Sequence, residues 1–351
     1  MEPPEQARAR GLKTWGRNSH KEAEAFKTLE SYFRASPMSS FHKIQRLTGA
    51  SKADALFMPN GFEEGLPIQL KAATSSAMRG KNYQFQHLSG YDGMLVIMIG
   101  LDGKHIWASA GQEMSSKELW ITVGCKSDTS RRVMDLGSHS VACFEDESEF
   151  PHVSIAEAML QCADNHKLEV AAHLLFDQLI SSADLCLRYP TVHQSAVDSL
   201  LAIVNVNGSI MNLRVQEKAR HPRRTDARYM VAMKKQGGAM GNLAYNENDF
   251  DLLAAFLMDE DQLQGAFFIP TPALVEHGFV GKKAKTLYLY PPWCLPKRQS
   301  TKEKHSWQLD FFLDLRGWNG SQKPEPEVLE RLRSLILRSL DDTSATANLG
   351  V

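Results

Sequence analysis

Two stretches of the chain carry the same pattern of apolar and polar positions. Leu66-Pro67-Ile68-Gln69-Leu70-Lys71 and Asn212-Leu213-Arg214-Val215-Gln216-Glu217-Lys218 each read as a buried strand that ends in Gln-x-Lys. Residues two apart in a strand share a face. Gln69 with Lys71, and Gln216 with Lys218, therefore reach one point beside a sheet. The two pairs are 147 residues apart, and the preceding helix recurs at that offset, although the interval from the upstream Asp to the Gln differs slightly, 15 residues against 18. Ser19–Phe33 carries a helical stripe of Ala25, Phe26, Leu29, Tyr32 and Phe33, with Ser19 as N-cap and Glu22 three residues on. Glu169–Ile180 carries Ala172, His173, Phe176, Leu179 and Ile180, and Glu22 falls on Glu169.

A short apolar strand with an Asp at its start follows each helix: Ala53–Met58 with Asp54, and Val197–Val204 with Asp198. A turn then leads into the Gln-x-Lys strand, which is a hairpin signature. Downstream, Tyr91–Ile99 and Phe250–Met258 are strongly apolar, and both open with an aromatic residue and Asp. His105–Ala108 and Ala266–Ile269 come next, and Leu119–Val123 and Thr286–Tyr290 form a further pair. The order helix, strand, strand, strand, strand thus occurs twice, as in an internal duplication. The chain reads as α/β (α+β). A disordered lead-in is expected over 1–18 and a first domain over 19–142. Residues 143–164 are expected to link it to a second domain over 165–340, which closes on a helix from Glu325 to Leu340. A disordered tail is expected over 341–351.

The chain has 351 residues, enough for two domains, and its 43% apolar and 23% charged content is that of a soluble globular protein. The net charge of −1 gives no global electrostatic case for nucleic acid, so any basic surface must be local. Cys125, Cys143, Cys162, Cys186 and Cys294 are scattered, which argues against a disulfide framework and structural zinc and for a reducing, intracellular setting. No apolar run is long enough to span a membrane. Met1–Asn18 lacks the apolar segment of a secretory signal, and Glu2 and Glu5 count against a mitochondrial presequence.

A hard divalent cation takes oxygen ligands, commonly one or two carboxylates with waters and a substrate phosphate. Asp54 supplies a carboxylate, and Gln69 supplies a neutral side-chain oxygen with main-chain carbonyls beside it. Lys71 then stands next to the metal, placed to stabilise charge on a scissile phosphate or to lower the pKa of an attacking water. Glu22 is placed to orient a metal-bound water. Asp198, Gln216, Lys218 and Glu169 fill the same roles in the second copy. The reaction class is phosphodiester hydrolysis with Mg2+ or Mn2+. Arg214, Lys218, Arg220, Arg223, Arg224, Arg228, Lys234 and Lys235 lie together against only Glu217 and Asp226, a run suited to phosphates flanking the cut. The first copy has the thinner set Lys71, Arg79 and Lys81. Plainer readings stand beside these. A Lys after a strand is commonly a solvated strand end, Asp54 and Asp198 serve as strand-start residues, and Glu22 caps its helix. The basic run is then a solvated loop.

The order helix-Glu, strand-Asp, hairpin, Gln-x-Lys strand resembles the PD-(D/E)XK, or restriction-endonuclease-like, nuclease superfamily, once per half and over nearly the whole chain. The resemblance implies two tandem restriction-endonuclease-like domains, each a mixed β-sheet with flanking helices. It also implies that Asp54 with Gln69, and Asp198 with Gln216, bind Mg2+. Gln stands where Glu or Asp is usual, a variant of homing-endonuclease-like members that removes one negative charge and weakens metal binding. Members often act as dimers with one site per DNA strand. Two fused copies therefore imply a monomeric single-chain pseudo-dimer that cuts both strands of double-stranded DNA, as a homing or mobile-element endonuclease. The alternative is a non-catalytic nucleic-acid-binding or assembly protein that keeps the fold, motivated by Gln in both copies. A mixed case has one live copy.

Overall fold

The computed structural model describes residues 21, 23–47, 51–75, 82–114, 116–188, 197–204, 210–223, 228–236, 242–260, 262–281, 283–294, 296 and 298–347. The described residues up to Ala163 form one compact unit and those from Asp164 a second.

The first unit starts with helix α1 (residues 23–35). Strands β1 (His42–Arg46), β2 (Ala55–Pro59), β3 (Glu64–Ala73), β4 (Asn82–Gln86), β5 (Leu95–Gly100), β6 (Ile106–Ala110) and β7 (Glu118–Thr122) follow. The unit ends with α2 (Lys126–Thr129), α3 (Leu136–Glu145), β8 (Val153–Ser154) and α4 (Ile155–Leu160). The six-stranded sheet runs β1-β2-β3-β5-β6, with β8 also on β3. Only β3 and β5 are parallel, from Ile68↔Leu95 to Ala73↔Gly100. Alternation along β3 splits its side chains. Ile68 and Leu70 join Phe26, Leu29 and Ile97 in the core under α1. Gln69 and Lys71 share the opposite face with Val96 and Met98, which pack with Tyr83 and Ile121 from the antiparallel β4–β7 pair.

The second unit repeats this plan. Its elements are α5 (Asp164–Ser182), β9 (Cys186–Arg188), β10 (Ser199–Val204), β11 (Ile210–Arg220), β12 (Tyr229–Met233), β13 (Lys235–Gln236), β14 (Asn242–Leu243), β15 (Leu252–Asp259) and β16 (Gln262–Pro270). After these come α6 (Thr271–Glu276), β17 (Lys285–Leu289), α7 (Gln299–His305), β18 (Phe312–Asp314) and α8 (Pro326–Ala347). The six-stranded sheet runs β9-β10-β11-β15-β16-β18, and β11 and β15 are its parallel pair, starting at Val215↔Leu252. Val215 is Ile68 shifted by the same 147 residues, so the parallel register is shared by the two units. Val215, Ala219 and Phe256 pack under α5 and α8, with Phe176, Leu332 and Ile336. Leu253 and Ala255 face the β12–β17 pair through Tyr229 and Leu287. Each unit is thus a mixed sheet with its long helices on one face and a two-stranded sheet on the other, joined in the second unit by the short α6 through Leu274, an α+β architecture.

Several expectations change. Each Asp-bearing strand is preceded by an edge strand, β1 or β9, and an edge needs little apolar surface to form. The strands β7 and β17 leave the main sheets and pair with β4 and β12. Residues 143–164 are not a plain link. Phe150 joins the first unit's core, β8 pairs with Glu64 and Gly65, and α4 buries Ala158 and Met159 behind a Ser154–Glu157 capping box. The last helix continues past Leu340 to Ala347, into the expected tail. The aromatic-Asp pairs do not occupy matching places. Met94 and Asp251 do: each immediately precedes its parallel strand, and each carbonyl accepts from the residue after the partner strand, Gly111 at 2.9 Å and Thr271 at 2.9 Å. Ser19 and Glu22 lie outside the described residues.

Candidate active site

The same clasp is built twice. Asp54 and Asp198 sit immediately before β2 and β10, and their main-chain N–H groups donate to the carbonyls of Ile68 (2.8 Å) and Val215 (2.9 Å). This docks each Asp against the central strand. Its Oδ2 accepts the main-chain N–H of Leu70 at 2.7 Å in the first unit and of Glu217 at 2.8 Å in the second. Gln69 and Gln216 each donate Nε2 to the same Oδ2, and also to the carbonyl of Leu70 (3.2 Å) or Glu217 (3.1 Å). Both glutamines are buried. Lys71 and Lys218 follow two residues on, on the same strand face. The structure therefore brings together Asp54, Gln69 and Lys71, and separately Asp198, Gln216 and Lys218.

Around this shared clasp the units differ. In the first, Lys71 Nζ donates to the Tyr91 hydroxyl at 2.8 Å and lies 4.7 Å from the centre of that ring. In the second, Lys218 makes no hydrogen bond or ion pair among the described residues. Tyr245, fully buried, donates its hydroxyl to Gln216 Oε1 at 3.1 Å. Burial holds the Tyr245 phenol protonated, and the charges of Asp198, Asp249 and Glu169 reinforce this. Burial also pushes the Asp198 carboxyl up to about 6; the Lys218 charge opposes the shift, and Glu217 and Glu169 add to it. Protein packs densely round Asp198, yet the residue is exposed at the surface, which limits that shift, and its Oδ1 takes no hydrogen bond among the described residues. Glu169, near enough to act on Asp198, is itself held by Arg220 at 3.2 Å.

Behind the second clasp lies a buried network. Glu217 is 8% exposed and points away from Gln216, into the face that carries Val215 and Ala219. His173 Nδ1, from α5, donates to its Oε2 at 2.8 Å, and the Ser199 hydroxyl donates to its Oε1 at 2.6 Å. The matching residues of the first unit are Phe26, Leu70 and Ala55, all apolar and buried. Sequence reasoning missed Glu217, His173, Ser199, Tyr245 and Tyr91 as site residues. His173 inside an apolar helical stripe, and Glu217 between two inward-facing residues, were the available signals. Tyr245 reaches the site from a loop and left none.

Three of the eight basic residues of the run are paired internally with carboxylates. Arg214 meets Asp251 through Nη2 at 2.7 Å and Nε at 3.1 Å, Arg220 meets Glu169, and Lys235 meets Asp249 at 2.6 Å. Arg228 lies 4.4 Å from the centre of the Tyr288 ring. Carboxylates far along the chain thus relieve part of the mutual repulsion in this region. Arg223 and Lys234 are exposed. Arg224, Arg79 and Lys81 lie outside the described residues.

Among the described residues no group of three or more His, Cys, Asp or Glu side chains could hold a metal ion. A hard cation here would have one carboxylate, Asp198 or Asp54, with the Gln side-chain oxygen after an amide rotation, and main-chain carbonyls and waters as its remaining ligands. That donor set suits Mg2+, which keeps several waters, better than a caged transition metal. The open Oδ1 of Asp198 fits such a ligand.

Residues 202–314, from β10 to the end of β18, match a family model described as MepB-like. A crystal structure of MepB is 22% identical over 41% of this chain and 97% of that one, with a TM-score of 0.30. The bacterial homing endonuclease I-Ssp6803I is 15% identical over 40% of this chain and 87% of that one, also with a TM-score of 0.30. Likeness at that level bears on neither fold nor activity. No curated protein matches the chain. The family match lies wholly within the second unit. No described helix is long and apolar enough to cross a membrane.

Proposed function

We propose that the chain is an intracellular, metal-dependent DNA endonuclease of the restriction-endonuclease-like kind. The carrying observation is the Asp–Gln clasp that sets a lysine two residues on at one strand face, formed by separate residues in both units. Asp198 and Gln216 would hold Mg2+ or Mn2+, which would supply Lewis acidity toward the scissile phosphate. Lys218 offsets charge on that phosphate. Glu169 orients the attacking water, and Tyr245 fixes the Gln216 side chain. Asp54, Gln69 and Lys71 occupy the corresponding positions of the first unit in a single-chain pseudo-dimer of homing or mobile-element type, whether or not that set turns over. Supercoiled plasmid incubated with Mg2+ or Mn2+ tests this. Cleavage by the wild type, lost in Asp198→Ala, supports it. Plasmid, genomic DNA and structured RNA all left intact under both metals would overturn it.

A second reading is a nucleic-acid-binding protein on a degenerate nuclease fold. In its favour, each Gln turns its N–H rather than its oxygen toward the Asp, and only one carboxylate lies in each clasp. A melting temperature that rises with DNA but not with either metal is the outcome expected for that reading.

A further inference from the structure

We infer that the two units are unequal, with Tyr91 holding Lys71 out of use so that the second unit alone presents a working lysine and the chain breaks one strand per encounter; this rests on the nuclease reading above. The tether is built into the fold. Lys71 gives a hydrogen bond to the Tyr91 hydroxyl at 2.8 Å and sits against the ring, so reaching a phosphate means leaving both. The Tyr91 main chain is itself fixed. Its carbonyl accepts from Met94 N at 3.0 Å, and it packs so closely on Gly111 that a Cβ there would fall 1.7 Å from the Tyr91 oxygen.

Among the described residues the second unit has no such tether. The aromatic of its similar motif is Phe250, which lacks a hydroxyl, and the residue at the matching register, four before the parallel strand, is Asn248. Phe250 instead meets Tyr245 edge-on, with ring centres 5.1 Å apart, and Tyr245 braces Gln216. The aromatic residues beside the clasp thus restrain the lysine in one unit and support the ligand glutamine in the other. Lys218 makes no hydrogen bond or ion pair among the described residues and is half-buried, as Lys71 is. The two lysines differ in engagement rather than in exposure.

The tether is tested on the full chain with an amine-reactive ester, following both lysines by peptide mass spectrometry. Lys218 is expected to label several-fold faster than Lys71, and Tyr91→Phe to bring Lys71 up to the Lys218 rate. Equal rates that Tyr91→Phe leaves unchanged overturn the inference. The chemistry is tested on supercoiled plasmid with Mn2+. Wild type is expected to yield nicked circles without early linear product, and Lys218→Ala to lose all cleavage. Cleavage that survives Lys218→Ala removes this inference while upholding the nuclease reading. Absence of cleavage by the wild type on every substrate removes both.

Discussion

Glu217 is a carboxylate carried by strand alternation onto a core face, where a bare charge is costly. His173 and Ser199 satisfy it, and its own N–H helps hold Asp198. Removing one partner of a buried ion pair is far worse than replacing the whole group by apolar residues. His173→Ala should therefore destabilise the protein by about 3–5 kcal/mol in denaturant unfolding. The triple variant His173→Phe, Ser199→Ala, Glu217→Leu installs the first unit's side chains and should be at least as stable as wild type. The pair also sets a pH dependence. Burial works against charge on His173, but the charge and hydrogen bond of Glu217, with Asp177 and Asp198 adding, carry its pKa above 6.5. A group raised in the folded state gives stability that is fully present below its unfolded pKa and is lost as pH rises through its folded one. Unfolding free energy should thus decline as pH rises above 6.5. An unchanged slope in the triple variant would show that His173 is not responsible.

At the scale of elements, the strands that carry the clasp were legible because they are strongly apolar and the Gln-x-Lys strands recur at one offset. The edge strands were not. His42-Lys43-Ile44-Gln45-Arg46 has little apolar signal, and β9 is three residues long. Both exist because a neighbouring strand offers its free hydrogen-bonding side, which is a tertiary circumstance. The segment with β8 and α4 failed for the same reason, since its pairing partner Glu64–Gly65 lies far back in the sequence. Close approach between elements is equally invisible to periodicity. Gly111 is required by the Tyr91 carbonyl rather than by its own backbone angles. Gly111→Ala should displace that loop at a cost of about 1–3 kcal/mol, measurable by thermal unfolding. An unchanged melt would mean the loop yields freely.

Over the whole molecule the net charge is −1, and part of the basic run shares in that balance. A local count of cations missed it because Arg214 and Asp251 are 37 residues apart. Of the run, Lys218, Arg223 and Lys234 form no ion pair with a carboxylate among the described residues. If each neutralises one phosphate, log affinity for duplex DNA should fall with log salt at a slope of about −2.7, and Lys234→Ala should flatten it by about 1. A much steeper slope would mean that the internal pairs open to meet DNA.

The buried network has one more consequence, for how such a chain can change over generations. Phe26, Leu70 and Ala55 in one half, and His173, Glu217 and Ser199 in the other, are two self-consistent solutions to the same interior space. Any route between them by single substitutions passes through a chain with a stranded carboxylate or an orphaned imidazole. A loss of about 3–5 kcal/mol is a large share of a typical domain's stability. Point substitution therefore keeps the halves apart, and only an exchange of a whole segment could make them alike again.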